Sequence, residues 1–498
     1  MRVDWGRGGP DLLVTLDRGA APLAVQLQEQ LRAAIREGRL TAGERLPSTR
    51  RLAEQLGVSR GTVVEVFEQL LAEGYVESAV GSGTRVAEVA GAERGGRPVP
   101  AAAPRHEPTP EVDFEYGIPD LGSVPLTDWT WAVGEATRTL PTAELGDEHP
   151  AGSRHLRDVV TAYHRRVRAG CATGDDAVVV GGFRQGLVFT FATLARHGIS
   201  AVALEDPGPR EHDLIARRAG LAAVPVPVDT EGLDVDRLRR TGARAVLVTP
   251  AHQCPTGVAL SPSRRRQLIA WAHEVDGVVL EDDYDAEFRY DRQPVGSLQG
   301  LDPERVVALG SVSKTLAPAV RIGWVLAPRR FLPDIVEEKR LASRGAPGLD
   351  QEALALLIES GRFDRHLRRM REVYRRRRDV LAEQVDAHLG ADRLQGLAAG
   401  CHALLRLPAG VSEDAVVAAA RSLSVGVSGL GRYRLTTSDD GPALVLGFGN
   451  LTEHQLRRGV RGIADAVRHA AALQPNTATR LDHERTASTR ALHGGRVS

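Results

Sequence analysis

The sequence predicts an α/β multidomain protein, a small helical head followed by a large domain built on a mostly parallel sheet flanked by helices. Three observations carry this. From about residue 111 to 473, short apolar runs alternate with helical stretches. Ahead of them, residues 20–88 hold three helix-spaced segments and two short strand-like pieces. Between the two, residues 89–110 turn rich in Ala, Gly, Pro, Arg and Glu, a composition that cannot repay its ordering entropy by burial. That segment reads as a disordered linker, and the polar, aperiodic residues 474–498 as a disordered tail. At 498 residues the chain exceeds what one core supports.

In the head, Leu23, Leu27, Leu31, Ala34 and Ile35 follow helical spacing on a first helix ending near Gly38. Leu46-Pro47-Ser48-Thr49 supplies a proline turn and hydroxyl caps before a second helix, Arg50 to Leu56. Gly57-Val58 turns the chain, Ser59 caps a third helix opening Arg60-Gly61-Thr62, and Val63, Phe67 and Leu70 form its buried stripe. Tyr75-Val76-Glu77 and Thr84-Arg85-Val86, joined across Gly81-Ser82-Gly83, complete a winged helix-turn-helix. In that geometry the start of the third helix faces base edges while flanking groups hold phosphates. Residues 1–88 carry 11 Arg against 12 Asp+Glu, so the head is not basic overall. Its arginines at 45, 50, 51, 60 and 85 nevertheless gather around turn, third helix and wing. The DNA-contacting set is therefore Arg50, Arg60, Thr62, Gly81, Ser82 and Arg85.

In the large domain the apolar runs are Ala177 to Val180, Ala201 to Leu204, Leu221 to Val228, Ala245 to Val248, Val278 to Leu280, Val306 to Leu309 and Gly323 to Leu326. Helical stretches such as Gln185 to Arg196, Glu211 to Ala219 and Ser263 to Val275 separate most of them. That rhythm predicts a largely parallel sheet covered on both faces, where ligands collect beyond the carboxyl ends of the strands. Those ends carry Gly181-Gly182-Phe183-Arg184, Glu205-Asp206, Thr249-Pro250-Ala251-His252, Glu281-Asp282-Asp283-Tyr284 and Ser311-Val312-Ser313-Lys314.

Only Lys314 and Lys339 are lysines among 64 basic residues. An ammonium loses its proton on desolvation and then forms an imine, which a guanidinium cannot do. Lys314 follows a strand, beside serine hydroxyls and seven residues before Arg321. These are the parts a pyridoxal phosphate (PLP) site needs, an amine for a Schiff base with hydroxyls and a guanidinium for a phosphate. Lys339, flanked by Glu337, Glu338 and Arg340, reads as an ordinary charged helix face.

Composition excludes other classes. The 64 basic residues balance 64 acidic ones, so no global charge draws the chain to nucleic acid or membrane. Cys171, Cys254 and Cys401 lack the spacing of a disulfide framework or structural zinc site. No signal-peptide stretch and no run of about 18 apolar residues occurs, so a soluble cytoplasmic protein is expected.

Residues 46–53 and 57–63 resemble the winged-helix domain of the GntR regulators. With Leu280-Glu281-Asp282-Asp283-Tyr284-Asp285-Ala286-Glu287-Phe288-Arg289-Tyr290, His252-Gln253-Cys254-Pro255-Thr256-Gly257 and His366-Leu367-Arg368-Arg369-Met370-Arg371, the chain is similar to the MocR-type subfamily. There the winged helix is fused to an aminotransferase-like domain. The resemblance covers about 23 to 470 and implies PLP-dependent transferase fold type I with a small C-terminal α+β subdomain, spanning 111–473, and a homodimer. It implies that Lys314 forms the Schiff base, Asp282 pairs with the pyridine nitrogen and Tyr284 donates to the phenolic oxygen, with Asp283 as the alternative pyridine partner. Ser311, Ser313 and Arg321 match the phosphate cup, together with backbone amides of Gly182, Phe183 and Arg184 at a helix N-terminus, a setting that suits a dianion. By the same resemblance the arginine-rich 366–371 stretch belongs to a long helix with acidic neighbours.

The chain also departs from that pattern. Leu145-Gly146-Asp147-Glu148-His149-Pro150-Ala151-Gly152 lacks a tyrosine that relatives direct at the partner's phosphate, and Pro209 replaces the aromatic that stacks on the pyridine ring. Cys254 stands where aminotransferases place an asparagine of the cofactor site, and Val445 where an arginine grips a substrate carboxylate. The expected function is thus a non-catalytic one, a DNA-binding regulator that senses PLP or a PLP-amine adduct, with operator DNA as partner and an amine or amino-acid-like effector. Two alternatives stand beside it, a PLP enzyme carrying a regulatory headpiece and a DNA-binding dimer with a vestigial, cofactor-free domain.

Overall fold

The computed structural model describes residues 14–19, 21–79, 83–88, 110–146, 149–290, 295–343, 347–437 and 441–472. Gly81, Ser82, Asp147, all of the expected linker but Pro110, and the expected tail lie outside the described residues. The chain divides into two compact units, Met1–Pro108 and Thr109–Ser498.

The first unit holds α1 (Leu23–Arg36), α2 (Thr49–Leu56), α3 (Arg60–Ala72), β1 (Val76–Ala79) and β2 (Gly83–Val86). Ser48 and Ser59 cap α2 and α3, each accepting from a backbone amide three residues on. Gly57, left-handed at φ 63°, ends α2 and sets the turn between them. Leu27, Leu31, Leu52, Val63 and Leu70 close the core, each contributing about 1.5–3 kcal/mol by burial. β1 and β2 pair antiparallel as the wing, with Val76 opposite Val86.

The second unit opens with β3 (Val112–Asp113), α4 (Leu126–Thr139) and α5 (Arg154–Arg168). Its large sheet then alternates with helices through β4 (Ala177–Val180), α6 (Phe183–Arg196), β5 (Ala201–Asp206), α7 (Arg210–Arg218), β6 (Ala222–Asp229), β7 (Gly232–Leu233), α8 (Val235–Arg239), β8 (Ala245–Val248), α9 (Pro262–Glu274), β9 (Val278–Asp283), β10 (Val306–Ser311) and β11 (Gly323–Leu326). The sheet order is β4-β11-β10-β9-β8-β5-β6-β7. β10, β9, β8, β5 and β6 run parallel, while β11 is antiparallel to both β10 and β4. Strands β4, β8 and β10 bury every residue, because helices cover both faces.

After α10 (Leu332–Ser343), α11 (Gly348–Glu359) and the long α12 (Arg362–Leu389), a small subdomain follows with β12 (Leu394–Gln395), β13 (His402–Arg406), α13 (Glu413–Ser422), β14 (Val425–Gly426), β15 (Ser428–Gly429), β16 (Ala443–Gly447) and α14 (Glu453–Ala472). Its antiparallel sheet runs β12-β13-β16-β15, and β14 pairs parallel with β3 from the start of the unit in a separate two-stranded sheet. Among the described residues no helix is long and apolar enough to cross a membrane.

Lys339 corrects one reading. It is fully buried, because it lies four residues after buried Ile335 on the inward face of α10. The charges of Glu337, Glu338 and Arg340 belong to the remaining faces.

Candidate functional site

The site gathers where β9, β10 and α6 end or begin. Asp282 sits in β9 opposite Leu309 of the neighbouring β10, five residues before Lys314. Successive strand residues point to opposite faces, so Asp282 and Asp283 cannot share one side. Asp283 binds buried Arg168, Nε to Oδ2 at 2.7 Å. The Oδ1 of Asp282 is buried without a hydrogen-bond partner. Burial, then the charges of Asp283, Asp285 and Glu205, hold the Asp282 carboxyl well above the usual carboxylate range. An orphaned carboxyl in a dry crevice is a receptor for a cationic N–H, whose charge would draw it back to the ionised form.

Lys314 lies in the loop after β10 and is largely withdrawn from water. Burial pulls its amine down from the ordinary lysine value, partly countered by acidic neighbours. The amine donates to the Gly117 carbonyl and stands 5.7 Å from the Tyr116 ring centre. A hydrogen bond between His366 of α12 and the Thr315 carbonyl, 2.9 Å, fixes the lysine loop. Burial and Arg369 pull His366 down to about 4, so the neutral ring donates through Nε2.

The residues expected to hold a phosphate converge as well. Ser311 and Ser313 hydroxyls are 2.9 Å apart, and the Ser313 amide donates to Ser311 Oγ at 3.1 Å. Gly182, at φ 93°, caps α6, and a Cβ there would lie 3.9 Å from both Ser311 Oγ and the Arg321 guanidinium. That places two hydroxyls, a guanidinium and the first amides of α6, from Phe183 and Arg184, around one spot. The side chain of Arg321 makes no hydrogen bond or ion pair among the described residues, whereas that of Arg184 pairs with Glu211. Two hydroxyls, an unspent guanidinium and a helix N-terminus form an anion cradle.

Tyr284 donates its hydroxyl to the His252 carbonyl at 2.7 Å, and Cys254 is buried in an apolar cluster with Leu404, Leu430, Tyr433, Ala443 and Val445. Burial raises the Cys254 thiol, which remains protonated. Val445 is fully inside this cluster, so the spot expected to lack a carboxylate clamp is apolar. Pro209 stands at the N-cap of α7, where His212 pairs with the Phe183 ring at 5.7 Å between centres.

Sequence reasoning missed Tyr116. Its ring meets His402, Tyr284 and Tyr433 edge-on at 4.9, 6.4 and 6.3 Å. It follows β3 by three residues, and only tertiary folding brings it to Lys314. Arginines of α12 hold both acids and backbone, Arg362 pairing with Asp128 and Arg375 with Glu372. Arg369 donates to the Ser123 carbonyl and Arg371 to that of Glu287, each at 3.0 Å, while Arg377 does bind Asp120 at 2.7 Å. A cavity of about 880 Å³ lies along α5 near the α11–α12 junction and is lined by none of the residues expected to hold the cofactor.

In the head, Arg60 opens α3 and is exposed. Arg50 is exposed beside Glu54 at 3.5 Å, a pair that solvent screens. Thr62 is half-buried, its hydroxyl 2.8 Å from Ser59 Oγ, so it shares in capping. Arg85 donates to the Gly43 carbonyl at 2.9 Å and thereby ties the wing to the loop before α2.

Residues 23–86 match the family described as bacterial regulatory proteins, gntR family, and residues 120–403 match aminotransferase class I and II. The probable rhizopine catabolism regulatory protein MocR of Rhizobium meliloti is 33% identical, covering 94% of this chain and 98% of its own. The HTH-type pyridoxine biosynthesis transcriptional regulator PdxR of Corynebacterium glutamicum is 32% identical, covering 89% and 96%. Among solved structures, a kynurenine aminotransferase of Pyrococcus horikoshii shares the fold of the large unit, with a TM-score of 0.66 at 20% identity over 73% of this chain and 92% of its own. Helix-turn-helix head and aminotransferase-type domain together define a transcriptional regulator that binds operator DNA. The chain belongs to the MocR-type branch of the GntR family.

Proposed function

We propose that this regulator reads PLP, free or joined to an amine, in its large unit, and that the bound state sets how a homodimer engages its operator. The observation that carries this is the buried, unpartnered Asp282 carboxyl beside the desolvated Lys314 amine. The relative named for pyridoxine biosynthesis supports the same ligand.

PLP supplies an aldehyde that condenses with amines and a pyridine ring that accepts electrons. The chain's own residues do the rest. Lys314 offers an amine that burial makes easier to deprotonate and hence nucleophilic. Asp282 would hold the pyridine nitrogen, passing its own proton to that nitrogen so that a carboxylate faces a pyridinium. Ser311, Ser313, Arg321 and the opening amides of α6 receive the phosphate. Tyr284 can turn its hydroxyl from the His252 carbonyl to a phenolic oxygen.

Turnover of free amino acids is not expected of this site. An arginine clamp makes one of the stronger charge-assisted contacts to a carboxylate, and Val445 with its apolar neighbours offers none. Switching a dimer from one to ninety-nine per cent in one arrangement needs about 5.5 kcal/mol of differential binding, which a covalent adduct can supply.

Gel shift with operator DNA tests the reading. PLP should change the mobility or affinity of wild type and leave Lys314→Ala, which still binds DNA, unchanged. An equal PLP response in both proteins would remove Lys314 from the sensing step.

A further inference from the structure

Three side chains from distant segments meet behind the Tyr116 wall. His252 comes from the loop after β8, Asp285 from the turn after β9, and His402 from the first residue of β13 in the small subdomain. All three are at least 96% buried. His252 Nδ1 lies 3.0 Å from Asp285 Oδ2, and the two imidazole centres are 4.4 Å apart with planes inclined by 43°. One donor atom from each residue lies within 4.8 Å of the other two.

Hydrogen bonding does not account for this cluster. Asp285 satisfies one nitrogen of His252, while His252 Nε2 and both nitrogens of His402 are buried without a partner. The carbonyls of Gln253 and Pro255 lie near His402 yet do not reach its nitrogens in hydrogen-bonding geometry. Each buried polar atom left without a partner destabilises the fold unless a ligand satisfies it. Water offers little relief, because the cavity touching Asp285, His402 and Lys314 has a volume of about 10 Å³, the lower bound for a single molecule.

We propose that His252, Asp285 and His402 form a binding site for a divalent first-row transition ion. Two imidazoles and one carboxylate suit Zn²⁺, Co²⁺, Ni²⁺ or Fe²⁺ rather than the hard ions Mg²⁺ and Ca²⁺. Around tetrahedral zinc, donors about 2.0–2.1 Å from the metal stand about 3.3 Å apart, so the cluster needs to contract by about 1.5 Å at most.

The backbone agrees with this assignment. Gly400 packs the main chain onto the cluster at φ +62°, and a Cβ there would lie 2.2 Å from Asp285 Oδ2 and 2.4 Å from the His252 ring. Two ligands belong to the large-sheet loops and one to the small sheet. An ion held there cross-links the two subdomains beside Lys314.

The test uses the untagged full-length protein. Metal content is measured by elemental mass spectrometry, the protein is stripped with a chelator, and ZnCl₂ is added back while thermal unfolding is followed. Wild type should bind one zinc per chain at this site, with a rise of several degrees in the unfolding midpoint, and Co²⁺ in place of zinc should give visible d–d absorption from nitrogen and oxygen ligands. His402→Gln and Asp285→Asn, checked for folding by circular dichroism, should lose the midpoint rise and the cobalt band. Since His483 and His493 can also capture zinc, retention of both signals in the two variants overturns the proposal. Should neither variant fold, the wild-type protein decides alone, and a folded chain with no midpoint shift on adding zinc and no cobalt band overturns it equally.

Discussion

Arg168 holds Asp283 at 2.7 Å in the interior, and this pairing leaves Asp282, its neighbour on the other face of β9, as the carboxyl without a partner. Two adjacent aspartates therefore have opposite environments, one locked in a structural ion pair and one open to a ligand.

The two should respond differently to amidation. Asp283→Asn leaves a buried guanidinium without its counter-charge and should destabilise the large unit by about 3–5 kcal/mol in urea unfolding. Asp282→Asn removes a carboxyl that gains nothing from its surroundings, so stability should hold or rise while PLP affinity falls. Equal stability losses would contradict the distinction.

Arg60→Ala and Arg50→Ala should each weaken operator binding and reduce the slope of log K against log salt by about 0.9 if each contacts one phosphate. Arg85→Ala should additionally loosen the wing, because its guanidinium holds the Gly43 carbonyl. Fluorescence anisotropy across a salt series reads all three. An unchanged slope for Arg60→Ala would place it off the phosphate backbone.

Glu205 provides a pH test. Burial pushes its carboxyl up to about 7 from 4.5, offset in part by donors from Thr249 and Gln253. A folded-state value above the unfolded one means the fold keeps a proton that the unfolded chain has released. Stability should thus fall as pH rises from about 4.5 to 7 and level off above, with Glu205 accounting for roughly 3 kcal/mol at most. Glu287, also pushed up to about 7, adds to the same slope. Glu205→Gln should flatten the wild-type decline between pH 5 and 8 in denaturant unfolding, and an identical decline would exclude Glu205 as its source.

The sheet was legible because strands covered on both faces write themselves as apolar runs. Ala177 to Val180 and Gly323 to Leu326 match their strands end to end. Val278 to Leu280 stops three residues early, since pairing with β10 carries β9 on through Glu281, Asp282 and Asp283. Two-residue strands such as β3 and β15 are too short to show any period. Lys314, Asp282 and the serine cup lay in compact motifs, whereas Tyr116 meets Lys314 from about 200 residues away and the His252–Asp285–His402 cluster spans 150, so neither left a local pattern. Lys339 misled because its charged neighbours hid an inward face that only packing reveals.

Covalent attachment of PLP to Lys314 is the central claim. The direct measurement is a visible absorption spectrum of purified protein after PLP is added and the excess removed, followed by borohydride reduction and peptide mass mapping. An imine band and a reduced pyridoxyl adduct on the peptide containing Lys314 are expected. Absence of the band, with no adduct at Lys314, would contradict it and leave a winged-helix regulator whose large domain has lost its cofactor.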